Sequence, residues 1–295
     1  MSIQFSIIIP TYNRGHLICA TIDSVLKQRY RGFEIIIIDD GSSDNTEGII
    51  HSTYDHTPEV RYIKQPNAER GAARNFGVTV AKGDYINFFD SDDLMLSNHL
   101  EEAKKFLETD KPEAFHLNYE IHNVENKVIA KGPKGLESAN ASLIKGNFLC
   151  CNGMMIRRDI ARSNPFEEDR TLAGMEDWEL WLRLAAQYKI HLVEVTTSVL
   201  INHDERSVLQ TIKEKLILRV LTLIDLVLKN QQVSRYYRDS IPKFKASCYT
   251  YISLHITLTG KDRLVALKFL WMGIREDFSC LFTQRFLAIV KHLLW

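Results

Sequence analysis

Residues 33–43 read Phe33-Glu-Ile-Ile-Ile-Ile-Asp-Asp-Gly-Ser-Ser43. The centre of that stretch, Ile35-Ile-Ile-Ile38, shows no polar alternation. A strand built from it buries both faces, as strands do in a parallel sheet covered by helices. Three more short apolar runs surround it, at residues 5–10, 60–64 and 85–89. Between the runs the spacing turns helical, over 16–28, 44–53 and 69–80. Strand and helix alternating at this interval predict an α/β fold: a mainly parallel, Rossmann-like sheet sandwiched by helices, with right-handed crossovers.

Downstream the pattern gives a helix at 97–108, short strands at 114–120 and 152–157, a helix over 176–188 and a strand near 190–199. From about residue 207 the chain reads as successive helices without a strand pattern. The expected division is therefore an α/β part over 1–205, in two halves of residues 1–113 and 114–205, and a helical C-terminal region over 206–295.

Composition narrows the function. Hydrophobic residues make up 45% and charged residues 25% of the 295, ordinary values for a globular protein. Lysine plus arginine equals aspartate plus glutamate at 37 each, so no global field draws the chain to nucleic acid. Cys19, Cys150, Cys151, Cys248 and Cys280 have no paired metal-ligand spacing and read as reduced core thiols in a cytosolic protein. No secretion signal opens the sequence, and no apolar run is long enough to span a bilayer.

In open α/β sheets ligands bind beyond the carboxyl ends of the strands. There stand Thr11, Asp39-Asp40-Gly41, Gln65-Pro66-Asn67 and Asp90-Ser91-Asp92-Asp93. Asp90 and Asp92, two apart at a strand end, project to one side and suit Mg²⁺ or Mn²⁺, which take a carboxylate or two plus substrate phosphates. The plainer reading is a solvated acidic loop or helix caps. Asp39 and Asp40 end a strand and can accept hydrogen bonds from a base or ribose; Ser43 or Asp44 reads as the cap of the next helix. Arg70 and Arg74 share a helix face, either as solvated surface or as two cations for a diphosphate. Glu176 and Asp177 open a helix, which the helix dipole alone explains. His203 follows a strand and is ambiguous.

Taken in order, Ile7-Ile-Ile-Pro-Thr-Tyr-Asn13, Ile36-Ile-Ile-Asp-Asp-Gly-Ser42, Gly71-Ala-Ala-Arg-Asn75, Asp90-Ser-Asp-Asp93 and Glu176-Asp177-Trp178 resemble the inverting family 2 glycosyltransferases of the GT-A fold, over residues 5–205. Each motif is weak alone; five in order are specific. The resemblance implies transfer of a sugar from a nucleotide-sugar donor, a UDP-sugar by preference, to a glycan or glycolipid acceptor in surface polysaccharide or glycolipid synthesis. It implies that Thr11 and Asp40, with Asp39 nearby, line the base and ribose pocket, and that Arg74, with Arg70, lies near base or phosphates. Asp90-Ser91-Asp92 becomes the DxD element holding Mn²⁺ or Mg²⁺, His203 a metal or phosphate contact, and Asp177 the general base. The QxxRW element of processive members is absent, since Arg285 is followed by phenylalanine, so one sugar or a few are expected. A nucleotidyltransferase and a non-catalytic nucleotide-sugar-binding module are the alternatives; the single glycine of Thr11-Tyr12-Asn13-Arg14-Gly15 disfavours the first, and Asp177 beside a DxD pair the second.

The tail, 264–295, mixes Leu, Phe and Trp with Lys268, Arg275, Arg285 and Lys291. It reads as helices packed on the core or on a second subunit in a homo-oligomer, or as an amphipathic surface in peripheral contact with the inner face of a plasma membrane. Glu276 and Asp277 tilt the reading toward packing.

Overall fold

The isoleucine run forms strand β2 (Phe33–Asp39), buried along its whole length. It lies parallel between β1 (Phe5–Thr11) and β3 (Val60–Lys64), in the register Ile7↔Ile35, Ile8↔Ile36 and Ile37↔Tyr62. β4 (Tyr85–Phe88) continues the parallel group beyond β1. This computed structural model describes residues 4–203, 212–258 and 262–294.

Helices α1 (Ile18–Leu26), α2 (Thr46–Tyr54) and α3 (Glu69–Val80) join these strands. Side chains of a strand alternate between faces, and the isoleucines sort accordingly. Ile7, Ile9, Ile35 and Ile37 pack with Ile18, Ile22 and Val25 of α1. Ile8, Ile36 and Ile38 pack on the other face with Ala73 and Val78 of α3. The absence of polar alternation is thus a sheet buried on both sides.

The chain continues through β5 (Leu94–Met95), α4 (His99–Thr109), β6 (Ala114–Asn123), β7 (Val128–Lys131), α5 (Ala139–Leu143), β8 (Met154–Arg157), α6 (Arg158–Ser163), α7 (Glu176–Ala185) and β9 (Ile190–Asn202). The sheet runs β3-β2-β1-β4-β8-β6-β9-β5, with β7 added to β6. β8 is antiparallel to both β4 and β6, so the sheet is mixed. Four elements carried no legible period. β5 is two residues long, α5 and α6 are one turn or slightly more, and β7 is exposed at every residue, which removes the alternation that marks a strand.

Beyond the strands lie α8 (Lys213–Lys229), α9 (Gln231–Tyr236), α10 (Ile241–Leu258), α11 (Arg263–Glu276) and α12 (Gln284–Leu294). The expected boundary near residue 205 falls outside the described residues. The helices share a core with the α/β part: Leu216, Val220, Leu223, Phe244 and Ile252 join the buried cluster that holds Trp178 and Trp181. Trp178 meets Phe244 edge-on with centroids 5.6 Å apart, and the Tyr237 hydroxyl donates to the Asn140 carbonyl at 2.6 Å. Packing on the core therefore accounts for one side of this region. Among the described residues, no helix is long and apolar enough to cross a membrane.

Candidate active site

A cavity of about 720 Å³ opens where β1 and β4 end and where α3 and α7 begin. On the side of the parallel strands stand Thr11, Arg14, Asp40 and Asn67; Tyr119, Asn147 and Phe148 line the wall contributed by the second half of the α/β part. Between them lie Arg70, Arg74, Asp90, Asp92, Glu176 and Asp177.

Two latched loops shape the side formed by the parallel strands. Asn13 adopts a left-handed φ of 52°, and its Oδ1 accepts from the Ser43 N–H at 2.8 Å and the Asp44 N–H at 3.2 Å. Asp44 in turn accepts from the N–H of Thr46 at 3.0 Å and of Gly15 at 3.2 Å, which ties the start of α2 to the first loop. The cap position itself falls to Asn45, whose side chain makes no cap bond, and not to Ser43 or Asp44 as expected. Thr11 is buried, and its Oγ1 has no hydrogen-bond partner among the described residues. An unpartnered buried hydroxyl costs free energy until something bonds it.

The two aspartates at the end of β2 divide their work. Asp39 is wholly buried, accepting from the Ser42 N–H at 2.7 Å and from the Tyr62 hydroxyl. It holds the turn in which Gly41 takes φ 81°, a conformation glycine adopts without cost. Asp40 reaches the cavity wall, yet its carboxylate accepts from the N–H groups of Ala68 and Glu69 and from the Gln65 amide, each at 2.8 Å. It anchors the positive end of α3.

Arg74 and Arg70 share a face, as their spacing requires, and both turn on Glu176. Arg74 is 1% exposed; it donates at 2.8 Å to Glu176 Oε1 and at 2.8 Å to Asp90 Oδ1. Arg70 Nε lies 3.8 Å from the same Glu176 oxygen, with about a third of its side chain open. Burial works to raise the Glu176 carboxyl, but the two guanidiniums and nearby N–H groups outweigh it and leave it below the ordinary value. Among these N–H groups is that of Gly174, whose φ of 95° lets the backbone turn toward the carboxylate.

The acidic triplet after β4 splits three ways. The strand ends at Phe88, one residue earlier than the apolar run suggests, so period-two alternation does not govern Asp90 and Asp92. Asp90 faces Arg74. Asp92 Oδ2 lies 3.1 Å from His203 Nε2 and 3.9 Å from Arg14 Nη2. Asp93 is fully buried and accepts from the Ile201 N–H at 2.8 Å and the Asn152 amide at 2.7 Å. Among the described residues no cluster of three or more His, Cys, Asp and Glu side chains is assembled for a metal. Asp90 and Asp92 bring carboxylate oxygens to the cavity wall, and His203 brings an imidazole against Asp92.

Asp177 opens α7 at the cavity wall, partly exposed. Its Oδ1 accepts from the Trp178 N–H at 2.7 Å and its Oδ2 from the Asn147 amide at 2.8 Å. Its protein-dense surroundings, and next the charge of Glu176, push its carboxyl up to about 7. Asn147 and Asn152 are partners that the sequence did not reveal, because each sits in or beside a short element with no periodic signal. Arg14 was legible as a cation next to a strand end.

Residues 6–163 match the family model Glycosyl transferase family 2. Among curated relatives, the Escherichia coli UDP-Glc:alpha-D-GlcNAc-diphosphoundecaprenol beta-1,3-glucosyltransferase WfgD is 32% identical over 189 residues, covering 64% of this chain and 72% of that protein. The corresponding E. coli enzyme WfaP is 34% identical over 186 residues, covering 62% and 70%. Other relatives are far longer: this chain spans about a third of an uncharacterized glycosyltransferase of Rickettsia felis, 34% identical over 63% of this chain and 31% of that one. In three dimensions the chain resembles S. aureus TarS 1-349 in complex with UDP-GlcNAc, with TM-score 0.65 and 15% identity over 94% of this chain and 91% of that one. It also resembles the mannosyltransferase PcManGT of Pyrobaculum calidifontis in complex with GDP-Man and Mn²⁺, with TM-score 0.58 and 16% identity over 100% and 88%. The sheet with its helical layers is thus of the GT-A type. With the family model covering more than half of its length, this chain belongs to glycosyl transferase family 2.

Proposed function

We propose that the chain moves a sugar from a UDP-sugar to a hydroxyl of a lipid-linked glycan acceptor, in one displacement that inverts the anomeric carbon. The observation that carries this reading is Asp177. It is a carboxyl with proton affinity near neutrality, held at the cavity wall by Asn147 and the Trp178 N–H. A base is most effective when its pKa lies near the working pH. UDP is the preferred carrier because the E. coli relatives are named for UDP-Glc and the TarS complex holds UDP-GlcNAc. The diphosphoundecaprenol in the relatives' names supports an acceptor carried in a membrane, so donor and acceptor would meet at its cytoplasmic face.

The nucleoside would lie along Thr11, whose buried hydroxyl wants a partner, and along the loop that Asp39 and Asp40 hold in place. Arg70 and Arg14 would face the diphosphate, with Arg74 fixed behind them by its two carboxylates. Asp92 and His203, with Asp90 two residues along the chain, fit Mn²⁺ or Mg²⁺: the two aspartates offer carboxylate oxygen at the cavity wall and His203 an imidazole nitrogen against Asp92, and a hydrated divalent ion needs only a few such donors besides phosphate. A bound divalent cation offsets the negative charge that grows on the departing diphosphate. On the opposite side Asp177 takes the proton of the acceptor hydroxyl as its oxygen attacks. Each Asp177 oxygen keeps a second lone pair for that proton while its present hydrogen bond persists.

The test incubates the purified chain with UDP-, GDP- and dTDP-sugars, Mn²⁺ and a diphospholipid-linked N-acetylglucosamine acceptor, reading the product's anomer by NMR. A β-linked product from an α-linked UDP-sugar is expected. A product that retains the donor's anomeric configuration would overturn the mechanism.

A further inference from the structure

Helix α11 presents an apolar stripe to solvent. Leu264, Leu267 and Trp271, spaced three and four apart and therefore on one face, are 83%, 46% and 60% exposed. The 3-10 turn that follows adds Phe278 and Phe282, 70% and 82% exposed, and α12 adds Leu287. Scattered exposed apolar residues are ordinary; three on one helix face, followed by two exposed phenylalanines in the next turn, mark an interaction surface.

The charges beside the strip are sorted. Glu276 is paired with Lys245 at 2.5 Å and Asp262 with Lys213 at 2.6 Å, while Asp277 accepts from the Ser279 N–H at 2.9 Å. The acids that weigh against a membrane contact in the sequence are thus engaged elsewhere. Arg263, Lys268 and Arg275, all exposed on α11, take part in no ion pair among the described residues. What remains beside the apolar strip is net positive, three cations without an ion pair against the single charge of Asp277.

We propose that this face of α11, with the turn after it, docks on an anionic lipid bilayer. The leucines and aromatic rings would enter the boundary between headgroups and acyl chains, while Arg263, Lys268 and Arg275 meet the lipid phosphates. Charge favours this occupant over a second copy of the chain. A two-fold contact would gather the three cations of both copies at one interface, where an anionic bilayer offers them phosphates instead. The inference does not lean on the catalytic reading, because binding is measured without donor or acceptor.

The experiment follows the full chain on phosphatidylcholine vesicles with and without phosphatidylglycerol, by co-sedimentation and by tryptophan fluorescence. Binding to the anionic vesicles only, reversed by salt, with a blue shift that Trp271→Ser abolishes, is expected. Lys268→Gln with Arg275→Gln should weaken binding about 25-fold, at about five-fold per charge. Phe278→Ser with Phe282→Ser should weaken it while an unchanged melting curve shows the fold intact. Failure to bind anionic vesicles at low salt would overturn the proposal. So would a concentration-dependent dimer that these same substitutions dissociate, which would assign the face to a second copy.

Discussion

Arg74 Nη1 lies 2.8 Å from Glu176 Oε1, and the two side chains are 2% and 5% exposed. The same guanidinium holds Asp90. One buried cation therefore ties α3, the acidic loop after β4 and the start of α7 into a single unit. Two charges survive burial only when each stays hydrogen-bonded, and here Arg70 and the Gly174 N–H complete the shell of Glu176. Kept ionised in this way, Glu176 sets a permanent negative charge beside Asp177, the second cause of that carboxyl's raised proton affinity after burial.

Breaking the pair should be costly. Arg74→Met leaves Glu176 buried without its closest cation, and removal of one partner of a buried pair typically destabilises by about 3–5 kcal/mol. Urea denaturation measures it. A loss within experimental error of zero would mean that the pair is solvated and the unit is not rigid.

The pH dependence follows from the same geometry. As a base Asp177 acts ionised, so kcat should fall as pH drops through about 7. Glu176→Gln removes the neighbouring negative charge and should move that acid limb to lower pH. The stability sign runs the other way. Asp177 ionises near 4 in the unfolded chain but near 7 in the folded one, so the folded state binds the extra proton and stability declines as pH rises between those values. Asp177→Asn should therefore stabilise the protein at pH 8 by something on the order of 1 kcal/mol, allowing for partial exposure, and by little at pH 4.

The acids after β4 should separate by phenotype. Asp93→Ala orphans the Ile201 N–H and the Asn152 amide and should cost about 2–6 kcal/mol of stability, since each buried unsatisfied group costs about 1–3 kcal/mol. Asp92→Asn should leave the melting temperature nearly unchanged and weaken donor binding in Mn²⁺. Thermal denaturation with and without UDP and metal distinguishes them.

Chelation is the companion to that experiment. EDTA should abolish transfer and added Mn²⁺ or Mg²⁺ should restore it. Full turnover in chelator would remove Asp90, Asp92 and His203 from any metal role.

Much of this was legible because long buried elements write their period into the sequence. Ile35 to Ile38 could only be an interior strand, and α3 begins at Glu69 and ends at Val80 as its spacing predicts. The strand-end rule then brought Thr11, Asp40, Asp90 and Asp92 to one cavity. What the sequence withheld is the pairing of side chains across the fold. Nothing in the helix that bears Arg70 and Arg74 announces that both answer to Glu176, a hundred residues away. Nor does Asn147, in a loop beside a five-residue helix, betray that it orients Asp177. Nor do tail residues Glu276 and Asp277 announce their partners, which come from another helix and from the backbone.

The central claim is that Asp177 takes the acceptor proton, and turnover of Asp177→Asn tests it most directly. Asparagine keeps the size and can still accept from Asn147 or from the Trp178 N–H, but it cannot hold the proton. General-base catalysis typically contributes about 10²–10⁴-fold, so kcat should fall by about that factor while affinity for the UDP-sugar barely changes. Near-normal turnover in a folded Asp177→Asn protein would contradict the account. Glu176, already held by Arg74 and Arg70, offers no ready substitute for the base.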